Sequence, residues 1–435
     1  MINSRVYQQV ESSLKVLSSS LDAKGLCIAL SGGVDSVVLL HLCREYANKH
    51  NIALQAVYVN HGLSQHASQW QQFCQSLCET LKVPFVAKQV SITRKARTSL
   101  EAQAREARYQ ALDDAAKAGF AIVLGQHADD QVETFLLRLK RGSGLLGLGA
   151  MRATTQLASG RYCIRPLLAV SRGEIEAFAQ QCGLEHITDE SNADDAFDRN
   201  FLRNQVIPLL TSRFNGFVGN TLRSIDILQR QQTIIDEVSE EDLQKCHCRM
   251  ALNITALQQL SCARRDNVIR LWLSKQGIEM PSQKQLDEIV QQAFSSRQDS
   301  QLEIRFKQGA VRRYRDALYW VTETSQKHDI ETVNLNELSG QSTPVAMQTG
   351  KGLRKPFSDE IVSIRYGRLK DKIKPQGKPG SNTLKHWLKD LHIPSWERDS
   401  IAVVYYNDTP VAVNGLFVSA DHAEDNGIIW VVKDD

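Results

Sequence analysis

Nowhere in the 435 residues does an apolar run approach the roughly 20 residues that a membrane-spanning helix needs. The opening MINSRVYQQVESS has no basic stretch followed by an apolar block, so no secretory signal is read there. Neither sign of charge is in large excess: the formal net charge is +3, which by itself points to no partner. No internal repeat or low-complexity tract stands out. The nine cysteines are odd in number and scattered, and Cys27 and Cys43 sit inside apolar runs, which argues against a disulfide scaffold. The expected address is the reducing cytoplasm, away from any membrane.

What is present describes an ordinary globular chain, 42% hydrophobic and 23% charged, long enough for two or three domains. Its charge is uneven. Between Lys351 and Ser400 there are 12 Lys or Arg against 6 Asp or Glu, a local +6 that leaves −3 for the rest. A basic surface there suits a polyanion, and a merely solvated face is the competing reading.

Segments 25–31, 52–63, 83–92 and 120–130 read as strands, and 36–48, 68–82 and 99–119 as helices, the last closed by Gly119. This alternation predicts an α/β fold with a doubly wound, mostly parallel sheet. Ligands of such sheets sit at the carboxyl ends of strands, where SGGVDS, VNHG and GQHADD all fall. The expected layout is a nucleotide-binding domain over 1–216, a mainly helical middle domain over 217–322 ending in a β hairpin at 301–321, a linker over 323–352, and a small basic α+β domain over 353–435.

Ser31-Gly32-Gly33-Val34-Asp35-Ser36 lies between an apolar strand and a helix. The G-x-x-x-x-G-K-[ST] spacing and its lysine are absent. What remains is a turn whose backbone amides form an anion nest, aimed at by the positive end of the following helix. Ser31 and Ser36 add hydroxyls. Asp35 would repel a phosphate unless Mg²⁺ intervened; its competing role is helix capping.

S-G-G-x-D-S after an apolar strand resembles the PP-loop of the ATP pyrophosphatase superfamily, which cleaves ATP between its α- and β-phosphates and adenylates an oxygen. No C-x-x-C pair is present, as a tRNA-thiolating member would often carry, and the chain opens without room for a glutaminase domain. Cys74 and Cys78 read as core, and Cys246-His247-Cys248 lacks the usual zinc spacing. The stretches VNHGLS, EAQAREARYQAL, HADDQVETFLLRLKRGSGLLGLGAM, RPLL, DESNADDAFDRNFLRNQVIPLL and NTLKHWLKDLHIPSWERDSIAVVYYNDTPVAVNGLFVS resemble the bacterial tRNA(Ile)-lysidine synthetases of three-domain type.

That resemblance implies a ligase that adenylates C2 of the wobble cytidine in an isoleucine tRNA bearing a CAU anticodon, and then lets the ε-amine of L-lysine displace AMP, so that the tRNA reads AUA instead of AUG. ATP is the cosubstrate and Mg²⁺ the metal; no protein partner is implied. Residues 31–36 would hold the ATP phosphates. Asp35 and Asp130 would take Mg²⁺, with Asp129 a helix cap and Glu133 an auxiliary acid or an amine-binding group. His127 is the candidate base, with a structural role as the alternative. Arg105 would reach the α-phosphate rather than pair with Glu101. Arg199 and Arg203 would touch the tRNA or the adenylated base, the competing partners being Asp195 and Asp198. Arg141, Gly142 and Gly144 read as a loop beside the site. Lys385, Lys389 and Arg398 would grip the tRNA body, with Trp387 and Trp396 read as core. A thiolating enzyme and a non-catalytic ATP-sensing tRNA binder are the alternatives.

Overall fold

The computed structural model describes residues 4–20, 23–60, 62, 66–90, 100–190, 194–248, 251–278, 280–295, 302–322 and 345–432. Most of VNHGLS beyond Asn60, and residues 323–344 of the expected linker, lie outside them. The chain divides into two compact units, Met1–Glu237 and Val238–Asp435.

The first unit begins with α1 (Arg5–Ser20), β1 (Gly25–Ala29), α2 (Val34–His50), β2 (Ala53–Asn60), α3 (Ala67–Leu81), β3 (Phe85–Gln89), α4 (Leu100–Ala115), β4 (Phe120–Val123) and α5 (Ala128–Lys140). It continues with α6 (Leu145–Leu148), β5 (Thr154–Gln156), β6 (Tyr162–Ile164), α7 (Arg172–Gln181), α8 (Asp198–Phe201), a π-helical turn Leu202–Val206, α9 (Ile207–Arg213) and α10 (Phe217–Cys246), whose last turns belong to the second unit. Helix α4 stops at Ala115, four residues before the glycine expected to close it.

Six strands form one sheet in the order β3-β2-β1-β4-β6-β5. All pairings are parallel except β5 with β6. Pleating sends alternate residues of β1 to opposite faces. Leu26 and Ile28 join the core with α1, α2, α3 and α7, while Cys27 packs with Leu112 and Ala116 of α4 and its connection. Both faces are therefore covered, as the near-continuous apolar strands require. Strand order reverses between β1 and β4, so the crevice at their carboxyl ends is the topological switch point.

The second unit carries β7 (His247–Cys248), β8 (Ala251–Asn253), α11 (Ile254–Gln258), α12 (Cys262–Lys275), α13 (Gln283–Ser295), β9 (Glu303–Arg305), β10 (Gly309–Tyr314) and β11 (Ala317–Thr322). The expected hairpin is β10–β11, and it is part of an antiparallel sheet ordered β7-β8-β11-β10-β9. Helices α12 and α13 pack on that sheet through Trp272, Leu273, Leu286 and Ile289. Then follow β12 (Val345–Leu353), β13 (Val362–Arg365), β14 (Lys372–Ile373), β15 (Asn382–Thr383), α14 (Leu384–Asp390), β16 (Val403–Tyr406), β17 (Thr409–Val413), β18 (Phe417–Val418) and β19 (Ala423–Val432). Residues 345–352, expected to be part of the linker, belong to β12, which pairs with β19; Gly350 and Gly352 mark a shift of register there, not a break in structure.

Candidate active site

The cradle forms where β1 hands over to α2. Gly32 takes φ +87°, and a Cβ there would lie 2.6 Å from Ile187 Cδ1, so only glycine fits. Gly33 is the N-cap of α2, which leaves the first-turn amides of a 17-residue helix facing the crevice. Ser36 Oγ accepts hydrogen bonds from the Ser31 and Gly32 amides at 3.2 and 3.1 Å and donates to the Gly33 carbonyl at 2.9 Å. Across the crevice, Gly125 follows β4, and a Cβ there would stand 3.3 Å from the Asp35 and Ser36 backbone. Sequence reading passed over that glycine.

Asp35 does not cap α2. Its Oδ2 accepts a 2.7 Å bond from Arg172 Nη1, and its Oδ1 lies 3.7 Å from His127 Nε2. Asp130 mirrors this arrangement: Oδ1 takes Arg203 Nη2 at 3.2 Å, and Oδ2 lies 3.5 Å from the same His127 nitrogen. Each carboxylate thus has one oxygen held by an arginine and one turned to a common point. Asp35 Oδ1 is buried and accepts no hydrogen bond. Burial raises the Asp35 pKa, against the pull of His127 and Arg172. The unpartnered Asp35 Oδ1 and the Asp130 Oδ2, which accepts the His127 amide, fit Mg²⁺ beside a phosphate cradle, since that ion takes one or two carboxylates together with phosphate and water oxygens. No group of three or more metal-ligating side chains occurs among the described residues.

His127 is buried and is the N-cap of α5. The expected cap was Asp129, yet Asp130 accepts the His127 amide at 3.0 Å, while Asp129 accepts the Arg172 amide at 2.8 Å and so holds the start of α7. Burial disfavours an imidazolium at His127, but the carboxylates of Asp129, Asp130 and Asp35 outweigh it and raise the pKa above the ordinary value.

Behind this group Glu133 is fully buried, receiving Arg203 Nε at 2.6 Å and Nη2 at 3.0 Å, with Arg199 Nε at 3.2 Å. Burial raises its pKa and the two arginines oppose that shift. Arg199 and Arg203 therefore meet on Glu133, not on Asp195 or Asp198; Asp198 pairs with Lys140 at 2.8 Å, and Asp195 accepts from Asn204 and Gln205. With both oxygens engaged, Glu133 is a structural acid and not a receptor for an amine. Arg203 lies in the π-helical turn, which lets it reach both acids.

Arg105 is half-buried; its Nη2 donates to Tyr109 Oη at 3.2 Å, and the same oxygen accepts from buried Arg165 at 3.2 Å. The Glu101 side chain lies outside the described residues. Arg108, one turn along α4, has a buried Nε without an acceptor, and its charge is opposed by Arg105 and Arg199 and favoured by Asp130. Arg141 and Gly142 are exposed at the end of α5, and Arg138 ties that turn down through the Gly147 and Ala150 carbonyls at 2.7 and 2.9 Å.

In the second unit Lys385 and Lys389 are exposed one turn apart on α14, whereas Trp387 is buried and donates to the Ile373 carbonyl at 2.9 Å. Arg398 is the exception to the expected basic grip. Only 8% exposed, it donates to the Ile393 carbonyl through Nε and Nη2 at 2.9 and 2.7 Å and to Tyr314 Oη at 3.2 Å. A guanidinium has enough fixed donors to close a loop by itself, and this one is used that way. Trp396 packs edge-on against Tyr314 and Tyr319 beneath the Arg312 guanidinium, lining a cavity of about 330 Å³. All nine cysteines are free, and Cys74 and Cys78 are core residues.

Three family models match the chain in succession: a PP-loop domain over residues 6–210, a TilS substrate binding domain over 252–319 and a TilS C-terminal domain over 362–432. The tRNA(Ile)-lysidine synthase of Escherichia coli O157:H7 is 38% identical over 420 residues, covering 94% of this chain and 97% of that one. The chain belongs to the tRNA(Ile)-lysidine synthase family. The Shigella flexneri synthase is 37% identical over 94% of this chain and 96% of its own, and that of Salmonella schwarzengrund is 35% identical over 96% and 99%. As a family member the chain is an ATP-dependent ligase, and the PP-loop match covers every residue of the cradle and of the acid–histidine group.

Proposed function

We propose that the protein joins L-lysine to the wobble cytidine of an isoleucine tRNA with a CAU anticodon. The observation that carries this reading is the convergence, at one switch point, of the 31–36 cradle with Asp35, His127 and Asp130 in a chain related throughout its length to tRNA(Ile)-lysidine synthases.

The cytidine C2 oxygen attacks the α-phosphorus of ATP, and the bond to the bridging oxygen breaks to release pyrophosphate. The nest at 31–36 and the first turn of α2 hold that leaving group. Asp35 and Asp130 would hold Mg²⁺, which would supply neutralisation of the phosphate charge. Arg105, which donates to Tyr109, is assigned to the α-phosphate, where it would stabilise the charge that develops. In the second step the ε-amine of lysine forms a bond to C2, and AMP leaves with the former C2 oxygen. The proton lost by the amine passes to His127, which is buried beside Asp35, Asp129 and Asp130. Arg199 and Arg203 act through Glu133 and Asp130, and fix the geometry on which the base is received. Lys385 and Lys389 take backbone phosphates of the tRNA body. The reaction belongs in the cytoplasm, with tRNA and ATP, and needs no protein partner; no helix among the described residues is long and apolar enough to cross a membrane.

Radiolabelled lysine incubated with ATP, Mg²⁺ and the isoleucine tRNA should enter the tRNA with one AMP formed per lysine. Methionine tRNA, which shares the anticodon, should stay unlabelled. ATP-dependent labelling that fails in the cognate tRNA would overturn the reading, and sulfur transfer in its place would establish a thiolating enzyme.

A further inference from the structure

Phe197 and Phe201 are 44% and 48% exposed, although Phe120 and Phe178 of the same unit are buried. Phe197 is the N-cap of α8 and Phe201 its last residue, linked by the hydrogen bond from the Phe201 amide to the Phe197 carbonyl at 3.0 Å. Arg199, between them in sequence, runs inward to Thr134 and Glu133, and Arg203 continues to Asp130. Lys140, paired with Asp198, and exposed Arg141 border the same element. Two water-exposed aromatic rings thus flank the short helix whose Arg199 pairs with Glu133 and whose continuation carries Arg203 to Asp130, with cationic side chains around them.

We infer that Phe197 and Phe201 form a stacking platform for the unpaired bases that flank the target cytidine. The inference rests on the proposed reaction and adds a binding site to it. Separate rings interleaved with guanidinium and ammonium groups match single-stranded RNA, whose bases stack on aromatic faces while phosphates meet cations. The chemistry supplies the need. A cytidine whose C2 oxygen must face ATP and then an amine has left its stack, and its neighbours lose stacking partners at a cost of a few kcal/mol. Rings beside the entrance replace those partners.

The test uses the full-length protein, an RNA hairpin carrying the isoleucine anticodon loop, and a fully paired duplex of the same length. Phe197→Leu and Phe201→Leu should each weaken hairpin binding about tenfold, the lower part of the range for one base–aromatic stack, with the salt dependence of binding unchanged. Phe197→Trp and Phe201→Trp should keep hairpin affinity, and the new indole fluorescence should be quenched by the hairpin and not by the duplex. Thermal melts matching the parent protein show that the variants are folded. Hairpin affinity equal to the parent in both leucine variants would overturn the platform and leave the reaction standing. A parent protein with no preference for hairpin over duplex would likewise overturn the platform, while absence of lysine transfer to the isoleucine tRNA would overturn the reaction on which it rests.

Discussion

Arg172 Nη1 donates to Asp35 Oδ2 at 2.7 Å across 137 residues of sequence, and the amide of the same arginine is held by Asp129 at 2.8 Å. One residue at the start of α7 is thereby tied to the acids that follow both β1 and β4. With Oδ2 engaged, Asp35 turns its buried Oδ1 toward His127 Nε2, 3.7 Å away.

Arg172→Ala should therefore raise the Mg²⁺ concentration needed for half-maximal pyrophosphate release by about tenfold, the loss of one charged hydrogen bond. Arg172→Lys should recover part of the effect, since it keeps the charge and loses the planar fork. A titration of pyrophosphate release against Mg²⁺ reads both; an unchanged midpoint for Arg172→Ala would show that Asp35 holds its orientation alone.

Glu133→Gln removes the buried charge on which Arg199 and Arg203 converge. Breaking a fully buried pair costs about 3–5 kcal/mol; here about 2 kcal/mol is expected, because Arg203 is 35% exposed and water screens it. Urea denaturation of the purified variant measures this, and a midpoint equal to the parent's would contradict the bracing role.

Lys385→Ala and Lys389→Ala should each flatten the dependence of log affinity for tRNA on log salt by about 0.7–0.9, the slope of one phosphate contact. Arg398→Ala should leave the slope alone and lower stability by about 1–3 kcal/mol through the lost charged hydrogen bonds. Filter binding at several salt concentrations, beside a melt, distinguishes the three lysine and arginine variants. A flattened slope for Arg398→Ala would restore the RNA contact that its burial argues against.

Arg354 grips both oxygens of Glu360, at 2.7 Å for one of them, and holds its pKa down at about 2. A depressed carboxyl stabilises the fold at pH above its unfolded value near 4.5, and that contribution fades as pH falls toward 2. Glu360→Gln should thus lower the melting temperature at pH 7 and make little difference at pH 2. Equal shifts at both pH values would refute the linkage.

Much of the first unit was legible because its strands are apolar on both faces and its helices are amphipathic, and because the site motifs sit at strand ends. Asp35, His127 and Asp130 come together as their positions imply. Arg172 was not legible: in SRGEIEAF it looks like any first-turn arginine, and only the fold brings it to Asp35. The shared face of Arg199 and Arg203 is visible in the sequence, and the buried Glu133 on which they converge is not. Strands β7 and β8 are too short to show alternation, so the sequence shows the hairpin of that sheet and not the strands that extend it. Arg398 reads as a surface cation in a basic stretch, because a string of letters does not distinguish a solvated guanidinium from one that closes a loop.

The hydroxyl of Ser36 gives the cradle a property beyond recognition. By filling the nest itself, it lets the turn keep its form before any nucleotide arrives. On the proposed reading ATP would meet a finished mould: little chain entropy would be lost on binding, nucleotide capture would be a swap of hydrogen-bond acceptors instead of a folding event, and pyrophosphate could leave for the same reason, the serine taking its place.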